Sequence, residues 1–64
     1  MPIINIHLQE GRPKEKISDL IRNVTDAVSE TLGAPKETIR VIVNEIPKTH
    51  WGIAGIPASE RNKK

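Results

Sequence analysis

The hydrophobic pattern of the chain changes period twice. Over residues 2–9, Ile4, Ile6 and Leu8 alternate with Asn5, His7 and Gln9, marred only by Ile3, and this period of two predicts a strand from the start of the chain. Glu10-Gly11-Arg12-Pro13 then breaks the strand. Glycine admits backbone angles closed to other residues, and proline, with its fixed φ, suits the first position of a helix. From there Ile17, Leu20, Ile21, Val24, Ala27, Val28, Thr31 and Leu32 recur at spacings of three and four, while Lys16, Asp19, Arg22, Asp26 and Glu30 occupy the opposite side. That spacing predicts an amphipathic helix. Gly33 is its expected stop, and Ala34-Pro35 does not continue a helix, so the element ends near Leu32.

After a short polar turn, residues 39–46 are rich in β-branched side chains and almost continuously apolar, which predicts a strand covered on both faces. A helical crossover of this length joins two parallel strands, so the order strand, helix, strand is one βαβ unit. The remaining residues, 47–64, set Gly52, Gly55 and Pro57 around Trp51, Ile53 and Ile56, and read as a turn or short hairpin reaching onto a neighbour. The fold class is therefore α/β. A single βαβ unit with a C-terminal hairpin leaves one sheet face bare; dimerisation into a four-stranded sheet with two helices, with further stacking of dimers on the bare face, is expected to cover it. Residues 1–64 read as one domain without repeats or linkers.

Length sharpens this expectation. A chain of 64 residues buries only about 60% of the surface that its unfolded form exposes, and cores this small are supplemented by disulfides, metals or oligomerisation. The chain has no cysteine, which excludes disulfides and thiolate metal sites, and Trp51 is its only aromatic residue. A homo-oligomer is the expected answer. The net charge of +2 is small and mixed along the chain, so neither nucleic acid nor a membrane is implied as a partner. Arg61-Asn62-Lys63-Lys64 is the one basic cluster and reads as a solvated end. No leader or membrane-spanning stretch is apparent, and the cytoplasm is the default location. Asn23-Val24-Thr25 matches a glycosylation acceptor inside a helical pattern, where it reads as chance.

The candidate chemistry narrows quickly. His7 and His50 are far apart and lack metal-ligand spacing, so no metal site is expected. No serine sits in a glycine-rich elbow, and Gly52 and Gly55 make no phosphate loop. Pro2 stands apart. Once Met1 is removed it carries a secondary amine, a base that no other position in a protein supplies. An ordinary α-amino group titrates near 8, and desolvation and adjacent cations both lower that value toward neutrality, where a general base works best. Arg12, in the strand-to-helix turn, and Arg40, near the start of the second strand, are candidate cations. Taken alone, Pro2 reads as the opening of an edge strand, where its missing N–H costs nothing. Arg12 reads as solvated, Arg40 as a guanidinium that a subunit boundary or an anionic ligand must relieve, and Trp51 as core or interface packing.

Taken together, the opening Met-Pro-Ile-Ile-Asn-Ile-His-Leu-Gln-Glu-Gly-Arg, Ala34-Pro35, Ile39-Arg40-Val41-Ile42-Val43 and His50-Trp51-Gly52-Ile53-Ala54-Gly55 resemble the 4-oxalocrotonate tautomerase family over nearly the whole chain. The resemblance implies a homohexamer, a trimer of dimers, with each active site drawn from more than one subunit. It also implies a cofactor-free tautomerisation of an enol or dienol carboxylate such as 2-hydroxymuconate, in the catabolism of aromatic compounds. Pro2 would act as base and acid in turn, Arg12 would hold the distant carboxylate, Arg40 from a neighbouring subunit would hold the carboxylate beside the hydroxyl, and Trp51 would form an apolar wall. Two departures stand out. Pro13 occupies a position that is often a helix-capping serine, and Gln9 one that is commonly apolar, so a more polar pocket and a shifted substrate are expected.

Two other functions use the same residues. Water addition to short unsaturated acids, as in related hydratases and dehalogenases, lacks an obvious extra carboxylate here. A non-catalytic oligomeric binding protein is what remains if Met1 is retained, because the Pro2 nitrogen is then an amide.

Overall fold

In the computed structural model, which describes residues 1–61, the chain runs β1 (Ile3–Gln9), α1 (Lys14–Leu32), β2 (Arg40–Ile46), β3 (Gly52–Ile53), β4 (Ile56–Pro57) and α2 (Ala58–Arg61). Short 3₁₀ turns at Lys36–Thr38 and Lys48–His50 flank β2. Asn62, Lys63 and Lys64, most of the basic end cluster, lie outside the described residues.

β1 and β2 pair in parallel, from Ile3 opposite Arg40 to Gln9 opposite Ile46. Residues opposite one another in a parallel pair point to the same side. Ile4, Ile6 and Leu8 therefore share a face with Val41 and Val43, and all five are half-buried against the α1 side. Ile3, Asn5, His7 and Ile42 stand exposed on the other face. This is the predicted βαβ unit, with its bare face.

α1 starts one position later than its proline implies. Pro13 is the N-cap, in extended conformation at φ −62° and ψ 150°, rather than the first helical residue, and its carbonyl accepts from the N–H groups of Lys16 and Ile17. It offers no side-chain acceptor to the first turn. At the other end Gly33 adopts φ 70° and donates its N–H to the Ser29 carbonyl at 2.9 Å, the left-handed cap that the sequence anticipates. Lys36 reaches back to Asp26 at 2.9 Å, and this hydrogen-bonded pair raises the lysine above its ordinary pKa. Open space surrounds the Cβ position of Gly33, so substitution there meets backbone strain alone. Gly33→Ala is expected to cost about 1 kcal/mol, seen as a lower urea midpoint at unchanged slope. An unchanged midpoint would remove the cap from the account.

The C-terminal residues form the expected hairpin. β3 pairs antiparallel with β4, Gly52 opposite Pro57 and Ile53 opposite Ile56. The two loop residues Ala54 and Gly55 take φ 53° and 84°, the left-handed pair that joins two strands with the right twist. The four-residue helix α2 that follows was not anticipated. Its first residue, Ala58, donates its N–H to the Trp51 carbonyl at 2.7 Å, which ties the hairpin back to the segment preceding it.

One copy of the chain barely has a core. Among the described residues only Ile39 and Ala58 are buried, while Ile3 is 57% exposed, Ile42 46% and Leu32 65%. Half of the predicted helix stripe is covered, at Ile17, Leu20, Val24 and Val28, but Ile21, Ala27, Thr31 and Leu32 face outward. The radius of gyration is 15.0 Å, against about 11 Å for a compact domain of this length. The molecule measures 47 × 23 × 14 Å, about one sheet and one helix thick. The apolar pattern was written for more surface than one chain encloses.

Candidate active site

The four candidate residues fall into two pairs at opposite ends of the sheet. Pro2 immediately precedes β1 and Arg40 opens β2, and the backbone N–H of Arg40 donates to the Pro2 carbonyl at 3.0 Å. That bond begins the parallel ladder and holds the two residues side by side. Contrary to the expected burial cost, Arg40 is exposed and stands at the edge of β2. Its Nη1 donates to the Glu37 carbonyl at 2.7 Å and to that of Ile39 at 3.4 Å. The guanidinium is thus steadied by carbonyls of the preceding turn.

The other pair lies beyond the C-terminal ends of the strands. Arg12 and Trp51 line one open groove of about 490 Å³, together with His7, Gln9, Glu10 and Lys48. Local sequence explains the arrangement. Gly11, at φ 123°, turns the chain sharply after β1, and Arg12 folds back so that its Nη1 donates to the Gln9 carbonyl at 3.0 Å. On the other strand, the Lys48–His50 turn after β2 delivers Trp51, half-buried, to the same place. Arg12 also borders a second, more apolar cleft with Leu8, Ile17 and Leu20.

Six residues of strand separate the two ends, roughly 20 Å at the rise of an extended chain. Within one copy, Arg12 is therefore beyond the range at which it influences the Pro2 nitrogen through water. The fold brings together Pro2 with Arg40, and Arg12 with Trp51, but not the two pairs with each other.

The sequence assigns no role at this site to Lys48 or His7. Both border the groove, and nothing in their spacing marks them, since the groove exists only once the ends of β1 and β2 are adjacent. Ion pairs among the described residues are Arg22 with Asp19 and Lys36 with Asp26, so Arg12, Arg40 and Lys48 keep their charges unpaired within the described chain. No group of three or more His, Asp or Glu gathers among the described residues, and no helix there is long and apolar enough to cross a membrane.

Comparison with known proteins bears on this arrangement. The profile of the family described as tautomerase enzyme matches residues 2–61. The 2-hydroxymuconate tautomerase of Pseudomonas putida is 49% identical over 63 residues, covering 98% of this chain and 100% of that protein. Among solved structures, a 4-oxalocrotonate tautomerase isozyme of Methylibium petroleiphilum superposes with a TM-score of 0.91 at 42% identity, covering 97% of this chain and 100% of its own. A heterohexamer 4-oxalocrotonate tautomerase of Chloroflexus aurantiacus J-10-fl gives 0.89 at 33% identity, with coverage of 95% and 98%.

Proposed function

Because the chain belongs to the tautomerase family, as an isomerase of the 4-oxalocrotonate tautomerase type, we propose that it interconverts the dienol and keto forms of 2-hydroxymuconate with Pro2 as the proton carrier. The observation that carries the proposal is the pairing of Pro2 with Arg40 at one end of the sheet, with Arg12 and Trp51 gathered at the other. After loss of Met1, the neutral Pro2 amine takes the proton of the 2-hydroxyl group and returns it to the carbon end of the conjugated system. The nitrogen ends the cycle as it began, and no cofactor enters.

Each arginine has a defined task in this scheme. Arg40 binds the carboxylate beside the reacting oxygen, where its guanidinium faces charge that grows as the hydroxyl loses its proton. Arg12 of another copy binds the far carboxylate and draws electron density along the diene, and Trp51 excludes water, which keeps the amine neutral. A second copy is a requirement of the geometry, since Arg12 of the same chain is about 20 Å away. Assembly as a trimer of dimers supplies the second copy and covers Ile3 and Ile42 on the bare face.

The arginine tasks separate kinetically. Arg12→Ala is expected to raise KM for 2-hydroxymuconate about tenfold to a hundredfold, with a smaller fall in kcat, because one charge-assisted hydrogen-bond pair to the far carboxylate is lost. Arg40→Ala is expected to lower kcat by a comparable factor. Steady-state ketonisation followed in the ultraviolet reads both, and equal, small effects of the two changes would overturn the assignment.

A further inference from the structure

Gln9 is the last residue of β1, paired with Ile46, half-buried, and part of the groove that holds Arg12 and Trp51. Its backbone carbonyl is already occupied by the Arg12 guanidinium at 3.0 Å. Its carboxamide makes no hydrogen bond among the described residues. An amide with two free N–H donors, lining the groove with a guanidinium and an indole, is a directional group without a partner among the described residues. The amide atoms are open to solvent in the groove, so a ligand acceptor reaches them without displacing a protein partner.

We infer that Gln9 is a specificity-determining residue, whose carboxamide donates to the far carboxylate of the substrate alongside Arg12. The inference rests on the reading of Arg12 as the anchor for that carboxylate. Arg12 contributes charge and Gln9 direction. An N–H donor at this position favours a chain that ends in oxygen over one that ends in hydrocarbon, which selects dicarboxylates from monocarboxylates of equal length.

Two non-reacting ligands isolate this effect from catalysis. Muconate carries a carboxylate at each end of its diene, and sorbate carries a methyl group in place of one of them. Trp51 is the only tryptophan and borders the groove, so its fluorescence reports binding of either ligand to the assembled, Met1-free protein. The starting protein is expected to bind muconate more tightly than sorbate. Gln9→Leu keeps the backbone carbonyl that Arg12 uses, and should lower the muconate-to-sorbate affinity ratio about tenfold, the value of a hydrogen bond to a charged group. Gln9→Glu is nearly isosteric and should lower the ratio further by repulsion, so the test survives if the leucine variant folds poorly. A ratio within twofold of the starting value in the variants, or no Trp51 response to muconate in the starting protein, would overturn the inference. Ketonisation of 2-hydroxymuconate is measured separately: discrimination without turnover would sink the proposed reaction and leave the role of Gln9 standing.

Discussion

Pro2→Ala, in protein shown by intact mass to have lost Met1, is expected to lower kcat/KM for 2-hydroxymuconate by about 10²- to 10⁴-fold, the range that a positioned base contributes. The loss is not complete, because alanine leaves a primary amine at the same place. What changes is the amine itself: proline's ring fixes the direction of the nitrogen lone pair, and a primary amine rotates. The bond from the Arg40 N–H to the carbonyl of residue 2 uses backbone alone and survives the substitution. The fold and the assembly should therefore be unchanged, and the fall should appear in kcat more than in KM. Rates equal to those of the starting protein would remove Pro2 from the chemistry.

The second large effect is expected on assembly. Ile42 lies in the middle of β2 on the bare sheet face and is 46% exposed in a single copy. Covering the exposed part of such a side chain is worth about 1 kcal/mol, and every interface repeats that gain. Ile42→Lys replaces it with the burial of a charge, so the oligomer should dissociate at micromolar concentration. Among its described residues a single copy buries only Ile39 and Ala58, and the released chain should lose its helical circular dichroism as well. Under the proposed reaction activity should fall with the mass, because within one copy Pro2 and Arg12 stand at opposite ends of the sheet. Sedimentation velocity and circular dichroism over a dilution series read both outcomes together. A folded, fully active monomer of Ile42→Lys would contradict the whole assembly argument.

Much of this architecture is legible in residue spacing. The alternation of Ile4, Ile6 and Leu8, the three-and-four spacing from Ile17 to Leu32, and the β-branched residues of β2 each follow a single local rule, and the elements stand where those rules put them. Gly33 ends α1 by a conformation that the sequence announces. Local rules fail where a residue answers to something distant. Ile21 and Leu32 fit the helix stripe yet face outward, because the rest of one chain offers them no surface to cover. Arg40 looks like a buried cation in an apolar strand, but it occupies the strand's first position and leans on the carbonyls of Glu37 and Ile39. The helix α2 has only four residues, too few for any periodicity to register. Lys48 joins Arg12 at the groove through the parallel pairing of β1 and β2, which brings their ends together across most of the sequence.

The resemblance to tautomerases supplied what spacing alone did not, namely a reason to join Pro2, Arg12, Arg40 and Trp51. The geometry constrains that union. Two of the four lie at each end of a sheet about 20 Å long, so any site that uses all four is shared between chains. For such a shared site, activity is expected to depend on protein concentration below the dissociation midpoint.

The account depends above all on the chemical state of one nitrogen. At this length the chain is accessible by chemical synthesis, with and without Met1, and the two forms can be refolded and compared in ultraviolet-monitored ketonisation of 2-hydroxymuconate. The account predicts rapid turnover by the form that begins at Pro2, and none above background by the form in which Met1 makes that nitrogen an amide, at equal oligomeric mass. Equal rates from the two forms would contradict it.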